Sequence, residues 1–294
     1  MGKKWLIAGI LLLITISAYL TFNFLNQPKE TTHYPGKRVI KYSFTMNNQS
    51  NQAIESASFW AYLPIKQTTF QKRVKIDFSH PANIKEDLMG NEKVFFTAQN
   101  LPPFGSTVFS ISTALDVANT PNQLAPIDVG PYLQAEKLVE SDDPRIIAIA
   151  ENLKADTMSE TAINIYNWVL GNLSDAGYIE RDHGALYALE KKAGDCTEFM
   201  NLFLALARAS GIPSRGIAGY ISRESTILVP RDYHNWAEVY IDSVWRVVDP
   251  LNKVIFKNES HYIAMRYLGG SMEDEEDNTQ RFFKGDGSVQ VSMN

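Results

Sequence analysis

Cysteine is nearly absent from this chain: a single residue, Cys196, occurs among 294. One cysteine excludes an internal disulfide and any metal site built from several thiolates. The roles that remain for a lone thiol are a buried apolar side chain and a reactive group. Number alone favours the buried side chain, because free cysteine is among the most buried residue types. The sequence around Cys196 is therefore needed to distinguish a buried side chain from a reactive group.

A surplus of positive charge is also missing. The chain has 28 Lys and Arg residues against 33 Asp and Glu residues, and its formal net charge is -5. This balance gives no reason to expect nucleic acid as a partner. Histidine and carboxylate residues do not occur at the spacings of a metal site, and there is no glycine-rich phosphate loop. We therefore expect no metal and no cofactor.

The longest apolar run lies at the N-terminus. Two lysines precede an uncharged run from Trp5 to Leu20, and the apolar character continues to residue 25. This length suits a single membrane span, and the early lysines predict that the rest of the chain is exported. A cleaved signal peptide is the alternative, but Ser17-Ala18-Tyr19 is a poor cleavage site. We predict an anchor over 1–25 in the inner (cytoplasmic) membrane, with the bulk of the chain periplasmic or extracellular.

Short runs of β character dominate the next part of the chain. A polar linker over 26–36 is followed by five runs in which apolar and polar residues alternate, separated by clusters of Asn, Pro and Gly. These runs are Arg38–Met46, Ala57–Leu63, Val74–Phe78, Lys93–Thr97 and Ser106–Ser112. Such a series predicts an all-β sandwich domain over 37–118. The predicted sandwich has no cluster of titratable residues that suggests chemistry.

Helical periodicity begins near residue 141, after a second proline-containing linker. The pattern predicts several helices, the last over about 196–210, and then strands near 215–221, 236–241 and 244–248. Helices followed by antiparallel strands are typical of an α+β domain, which we place over 132–268. Residues 269–294 contain the run Glu273–Asp277, and we predict a solvated acidic tail there.

Cys196 lies at the predicted start of the last helix. Asp195 is suited to cap that helix, and Glu198 stands where the partner of a capping box belongs. The free N–H groups and the dipole of a helix N-terminus favour an anion there, which raises the thiolate fraction. The same N–H groups could bind the oxyanion of a tetrahedral intermediate. Apolar residues at helical spacing bury the helix behind the thiol: Phe199, Leu202, Phe203 and Leu206.

A thiolate nucleophile needs a base, and the base needs an orienting acceptor. His234 precedes an alternating strand, and Asp249 ends the strand after it. A turn at Asp242-Ser243 would pair the two strands as a hairpin, with His234 and Asp249 near the same end. This order of residues predicts a Cys/His/Asp triad.

Four motifs carry a resemblance to a known family: Gly-Asp-Cys-Thr-Glu-Phe, Ala-Arg-Ala-Ser-Gly-Ile-Pro-Ser-Arg, His-Asn-Trp-Ala-Glu-Val and Trp-Arg-Val-Val-Asp-Pro. Over about 141–265 the chain resembles the transglutaminase-like superfamily. The resemblance implies a papain-like core whose triad maps to Cys196, His234 and Asp249. It also implies attack on a glutamine carboxamide or another amide, a thioester, and transfer of the acyl group to an amine or to water. Several members of the superfamily also carry a preceding β-sandwich.

Three further residues are candidates for the site. Members of the superfamily often have a Trp or Tyr side chain at the oxyanion, and Tyr178 is the nearest candidate for that role; packing within its loop is the alternative. Trp236 could shield His234 from water, form the core of the hairpin, or do both. His183 precedes a short predicted helix and could line the cleft, although a loop histidine is usually solvated.

We therefore predict a membrane-anchored, outward-facing cysteine enzyme that acts on amide bonds of proteins or peptides. Hydrolysis by a peptidase or amidase and transfer of the acyl group to an amine are close alternatives. The rival from another class is a non-catalytic module that binds an envelope protein with the same fold. An intact triad disfavours that rival, because binding alone does not require all three residues.

The first prediction concerns thiol reactivity. Near neutral pH, Cys196 should react with iodoacetamide faster than a model thiol does, because a neighbouring base increases the thiolate fraction. The variant His234→Ala should lose the excess rate. Equal rates for the unmodified protein and the variant would contradict the predicted triad.

Overall fold

The computed structural model describes residues 32–269 and 282–294. The strands, in chain order, are β1 (Gly36–Asn47), β2 (Ile54–Tyr62), β3 (Gln71–Phe78), β4 (Ala82–Glu86), β5 (Glu92–Leu101), β6 (Ser106–Val117), β7 (Ser174–Asp175), β8 (Ala193–Gly194), β9 (Ser214–Ile221), β10 (Thr226–Ile227), β11 (Tyr233–Ile241), β12 (Val244–Asp249), β13 (Val254–Ile255), β14 (Tyr262–Leu268), β15 (Phe283–Gly285) and β16 (Gln290–Met293). The α-helices are α1 (Pro144–Leu153), α2 (Met158–Asn172), α3 (Ala185–Lys191) and α4 (Cys196–Ala209).

Strands β1 to β6 lie in two sheets with an aromatic core between them. One sheet has the order β10-β1-β6-β3, with β16 also on β1, and the other has the order β15-β2-β5-β4. Phe44 and Phe109 face each other across β1 and β6. Phe59 on β2 has ring centroids 5.2 to 5.3 Å from those of Phe44, Phe96 and Phe109. Alternation along each strand thus turns one face of each sheet into a shared apolar layer.

The last two strands join this sandwich. Strand β15 pairs with β2, and β16 pairs with β1. Val291 packs against the sandwich core, and Met293 belongs to it. The structure therefore differs here from the acidic tail predicted over 269–294, because two strands of three and four residues are too short for a periodic pattern to reveal. The run Glu273–Asp277 lies outside the described residues.

The α+β part is built on an antiparallel sheet of order β13-β12-β11-β9-β14. Helix α4 packs on this sheet, and the apolar positions behind Cys196 are all at most 3 % exposed. The turn between β11 and β12 consists of Asp242 and Ser243, with φ of 52° and 65°. Positive φ at both residues matches the twist of the two strands, so the predicted hairpin forms with Ile241 opposite Val244.

The sandwich and the α+β part share a buried boundary. Trp236, Ile217 and Tyr262 pack with Ile65 and Phe70 from the segment that follows β2. The short strand β10 adds to β1 in parallel. Tertiary packing therefore ties the two predicted domains together along the side of the sheet that includes β14.

No helix within residues 32–269 or 282–294 is both long and apolar enough to cross a membrane. The predicted anchor over 1–25 lies outside these described ranges.

The second prediction tests the aromatic core. The variant Phe59→Ala should lower the free energy of unfolding by about 3–5 kcal/mol, because it removes a buried ring and leaves a cavity. The matched control is Val74→Ala on β3, where the side chain is 58 % exposed. The control should change the same quantity by no more than about 0.5 kcal/mol. Urea unfolding of both variants measures the difference, and equal effects would contradict the described core.

Candidate active site

Cys196 is the first residue of α4, at the mouth of a buried helix. The Asp195 Oδ1 accepts the Thr197 N–H at 2.8 Å, and the Glu198 Oε2 accepts the Asp195 N–H at 2.9 Å. These bonds form the capping box that the sequence predicts. Cys196 itself is partly exposed. The sulfur thus lies beside the free N–H groups of a helix start, within reach of a ligand.

His234 and Asp249 meet at the end of the hairpin. The His234 Nε2 donates to the Asp249 Oδ2 at 2.7 Å, and the two side chains are 11 % and 2 % exposed. Cys196 lies close enough to His234 to help raise the pKa of the imidazole. Because Nε2 is occupied by Asp249, the ring nitrogen left for Cys196 is Nδ1. The structure therefore brings together the three residues of the predicted triad.

Two residues that sequence reasoning missed also contact Asp249. The Tyr262 hydroxyl donates to Oδ2 at 2.9 Å, and the Asn252 Nδ2 donates to the same oxygen at 2.8 Å. The Asn252 backbone N–H donates to Oδ1 at 3.1 Å. Of the two, only Asn252 could have been suggested by the local sequence, because it follows Asp249 by three residues. Tyr262 comes from β14, whose position depends on non-local pairing.

These contacts set the protonation states of the pair. Burial alone would lower the pKa of His234, but the hydrogen bond to Asp249 and the nearby Cys196 raise it to about 10. Burial would raise the pKa of Asp249, and the bonds from His234 and Asn252 hold it below its ordinary value. At neutral pH the arrangement therefore favours an imidazolium between a carboxylate and the sulfur.

The three further candidates lie in different surroundings. Tyr178 is 83 % exposed, as a loop residue pointing into solvent would be. Trp236 is buried in the core of the hairpin, with its ring centroid 6.5 Å from that of His234. The His183 ring stacks on Tyr187 at 3.9 Å. None of these three side chains has a described hydrogen bond to the triad.

The loop of residues 179–183 is tied to the first turns of α4. The Ile179 N–H donates to Asp195 at 3.0 Å, and the His183 N–H donates to Glu198 at 2.9 Å. Asn201 donates to the His183 carbonyl oxygen at 2.9 Å. His183 therefore contributes to the site through its backbone, which connects the loop to the helix that carries Cys196.

Asn235 joins strand β11 to helix α4. Its Nδ2 donates to the Thr197 Oγ1 at 3.1 Å. The residue after the nucleophile and the residue after the histidine are thereby held together.

Among the described residues, no group of three or more His, Cys, Asp and Glu side chains could hold a metal ion.

Residues 147–250 match the family model of the transglutaminase-like superfamily. This segment is a transglutaminase-like domain. It includes Cys196, His234 and Asp249, while the sandwich strands β1 to β6 precede it. No curated protein sequence matches the chain.

Several solved structures are similar to this chain at low sequence identity. A proposed cysteine protease from Cytophaga hutchinsonii aligns with 88 % of this chain and 90 % of its own, at 19 % identity and a TM-score of 0.57. The periplasmic domain of TgpA from Pseudomonas aeruginosa aligns with 71 % of this chain and 87 % of its own, at 16 % identity and a TM-score of 0.39. Red sea bream transglutaminase aligns with 84 % of this chain and 53 % of its own, at 13 % identity and a TM-score of 0.32. Only the first similarity bears on the overall fold.

Glu198 has an unusual electrostatic position beside the nucleophile. Burial and the neighbouring Asp195 raise the pKa of Glu198 to about 7, against the lowering effect of two backbone N–H bonds. A carboxyl group whose pKa is raised by folding binds its proton more tightly in the folded state. Its contribution to stability is therefore fully present at low pH and is lost as the pH rises from about 4.5 to about 7.

The third prediction uses this dependence. In Glu198→Gln the titrating proton is gone, so its melting temperature should fall less than that of the unmodified protein between about pH 5 and about pH 7.5. The control is Glu160→Gln, at the matching third position of α2, where the carboxylate is exposed and accepts the Thr157 hydroxyl at 2.9 Å. The control should keep the slope of the unmodified protein. Identical slopes for all three proteins would contradict the raised pKa of Glu198.

Proposed function

We propose that this protein is a cysteine enzyme that cleaves amide bonds of proteins or peptides through a thioester intermediate. The observation that supports the proposal best is the 2.7 Å hydrogen bond from the His234 Nε2 to the buried Asp249 Oδ2, with Cys196 beside the same imidazole. A thiol that only fills space in a core needs no charged imidazole beside it, and a binding surface needs no buried acceptor behind that imidazole.

In the acylation step, the Cys196 thiolate attacks the amide carbon and forms a C–S bond. The backbone N–H of Cys196, at the start of α4, donates to the oxyanion. The imidazolium of His234 gives its proton to the leaving nitrogen as the C–N bond breaks. The amine departs, and a thioester remains on Cys196.

In the second step, His234 is neutral and accepts a proton from water as the water oxygen bonds to the thioester carbon. The C–S bond then breaks, which releases a carboxylic acid and restores the thiolate beside the imidazolium. Asp249 stays ionised and keeps the ring in the Nε2–H tautomer through both steps. No cofactor enters either step.

Hydrolysis is the favoured outcome because the site is open to water. Cys196 is partly exposed, and water is present at about 55 M, so transfer to an amine requires a site that excludes water. We also propose that the protein is exported and held at the inner membrane by residues 1–25, on the basis of their apolar run. Its substrates would then be proteins or peptides of the cell envelope.

The fourth prediction tests the reaction and its acceptor. Full-length protein in detergent is incubated with envelope proteins of its source and a labelled primary amine. We expect loss of intact substrate without label, since water is the acceptor. Cys196→Ala should be inactive, and Asp249→Asn should be slower by about a hundredfold or more, because the imidazole loses its orienting charge.

The matched control is Asp77→Asn, on β3 of the sandwich, where the carboxylate is largely exposed. It should retain full activity. Incorporation of label would show that the acyl group is transferred to the amine, which would contradict hydrolysis as the outcome. Cleavage that persists in Cys196→Ala would exclude the proposed enzyme.

A further inference from the structure

Asp249 receives more hydrogen bonds than the orientation of one imidazole requires. Its Oδ2 accepts from the His234 Nε2 at 2.7 Å, the Asn252 Nδ2 at 2.8 Å and the Tyr262 hydroxyl at 2.9 Å. Its Oδ1 accepts the Asn252 backbone N–H at 3.1 Å. Asn252 thus supplies two of these four donors, one from the backbone and one from the side chain.

The Asn252 amide lies against the imidazole as well as the carboxylate. Its Nδ2 is 2.9 Å from the His234 Nε2. Because Nε2 carries the hydrogen that it donates to Asp249, it has no lone pair for the amide, so the amide hydrogen goes to Asp249. A flipped amide would place its oxygen against the Oδ2 of Asp249 with no proton between them. The amide therefore lies across the bond between His234 and Asp249.

Asn252 is also placed to separate that bond from water. It is an exposed residue, while the side chains of His234 and Asp249 are 11 % and 2 % exposed. Trp236 is 1 % exposed and its ring centroid is 6.5 Å from that of the imidazole, so the cover that it gives comes from the buried side, whereas Asn252 is exposed to solvent. Water that reached the bond would compete for both the donor and the acceptor.

We propose that Asn252 is a positioning residue whose side-chain amide seals the hydrogen bond between His234 and Asp249 and holds the imidazole toward Cys196. This role rests on the function proposed above. The alternative is that Asn252 only closes the turn after β12. That turn uses the Asn252 backbone N–H, which other residues supply equally, so a change of side chain separates the two roles.

Iodoacetate reports on the imidazolium without any amide substrate. The Cys196 thiolate displaces iodide and forms a thioether, so the rate requires the thiolate. The anionic reagent is also attracted by the positive imidazolium, so the rate declines at alkaline pH as His234 loses its proton. The unmodified protein should therefore give a bell-shaped dependence of the alkylation rate on pH.

The fifth prediction concerns the alkaline limb of this curve. In Asn252→Ala the limb should move to lower pH by about one unit, because water weakens the bond that keeps His234 protonated. Asn252→Asp has the same shape but places a second carboxylate at the His234 Nε2, so its limb should move to higher pH. The control Asn152→Ala removes an exposed asparagine on α1 and should leave the curve unchanged.

Circular dichroism checks that each variant is folded. If Asn252→Ala does not fold, Asn252→Asp alone tests the positioning role. Alkaline limbs that superimpose for the unmodified protein and the Asn252 variants would overturn the positioning role and leave the proposed function intact. A flat curve for the unmodified protein, at the rate of a model thiol, would instead overturn the proposed function and this role with it.

Discussion

The hydrogen bond between the His234 Nε2 and the Asp249 Oδ2 is the interaction on which the candidate site depends. A carboxylate that is 2 % exposed needs donors and a nearby positive charge, since an uncompensated buried anion is strongly destabilising. The imidazolium supplies both, and its other nitrogen then faces Cys196. The bond to the buried Asp249 thus fixes the orientation of the His234 ring, and that orientation leaves Nδ1 for the sulfur.

The capping box of α4 performs two tasks with the same two carboxyl groups. Asp195 and Glu198 satisfy N–H groups of the helix start, and each also accepts a backbone N–H from the loop of residues 179–183. The loop beside the nucleophile is therefore positioned by the residues that begin its helix. Removal of the Glu198 carboxyl group would therefore release both the helix start and the loop.

Features that depend on local rules could be predicted from the sequence, whereas those that depend on long-range pairing could not. The helix start at Cys196 follows from a cap, a box partner and an apolar stripe that lie within a few residues and agree with one another. Tyr262 reaches Asp249 only because β14 pairs with β9, which no periodicity reveals. Asn252 resembles an ordinary turn residue. Tyr178 is a candidate for the oxyanion site only by resemblance to the superfamily. Its exposed position depends on the conformation of its loop, which no short sequence pattern predicts.

The β-sandwich is connected to the site by hydrogen bonds. The Gln71 side chain, 1 % exposed at the start of β3, bonds both the N–H and the carbonyl oxygen of Ala264 at 2.9 Å. Ala264 lies on β14, two residues after Tyr262, whose hydroxyl bonds Asp249. The Ile65 N–H bonds the same carbonyl oxygen. The sandwich therefore fixes the strand that supplies one of the donors to Asp249, which is a physical reason for the sandwich to pack against the domain that carries the candidate site.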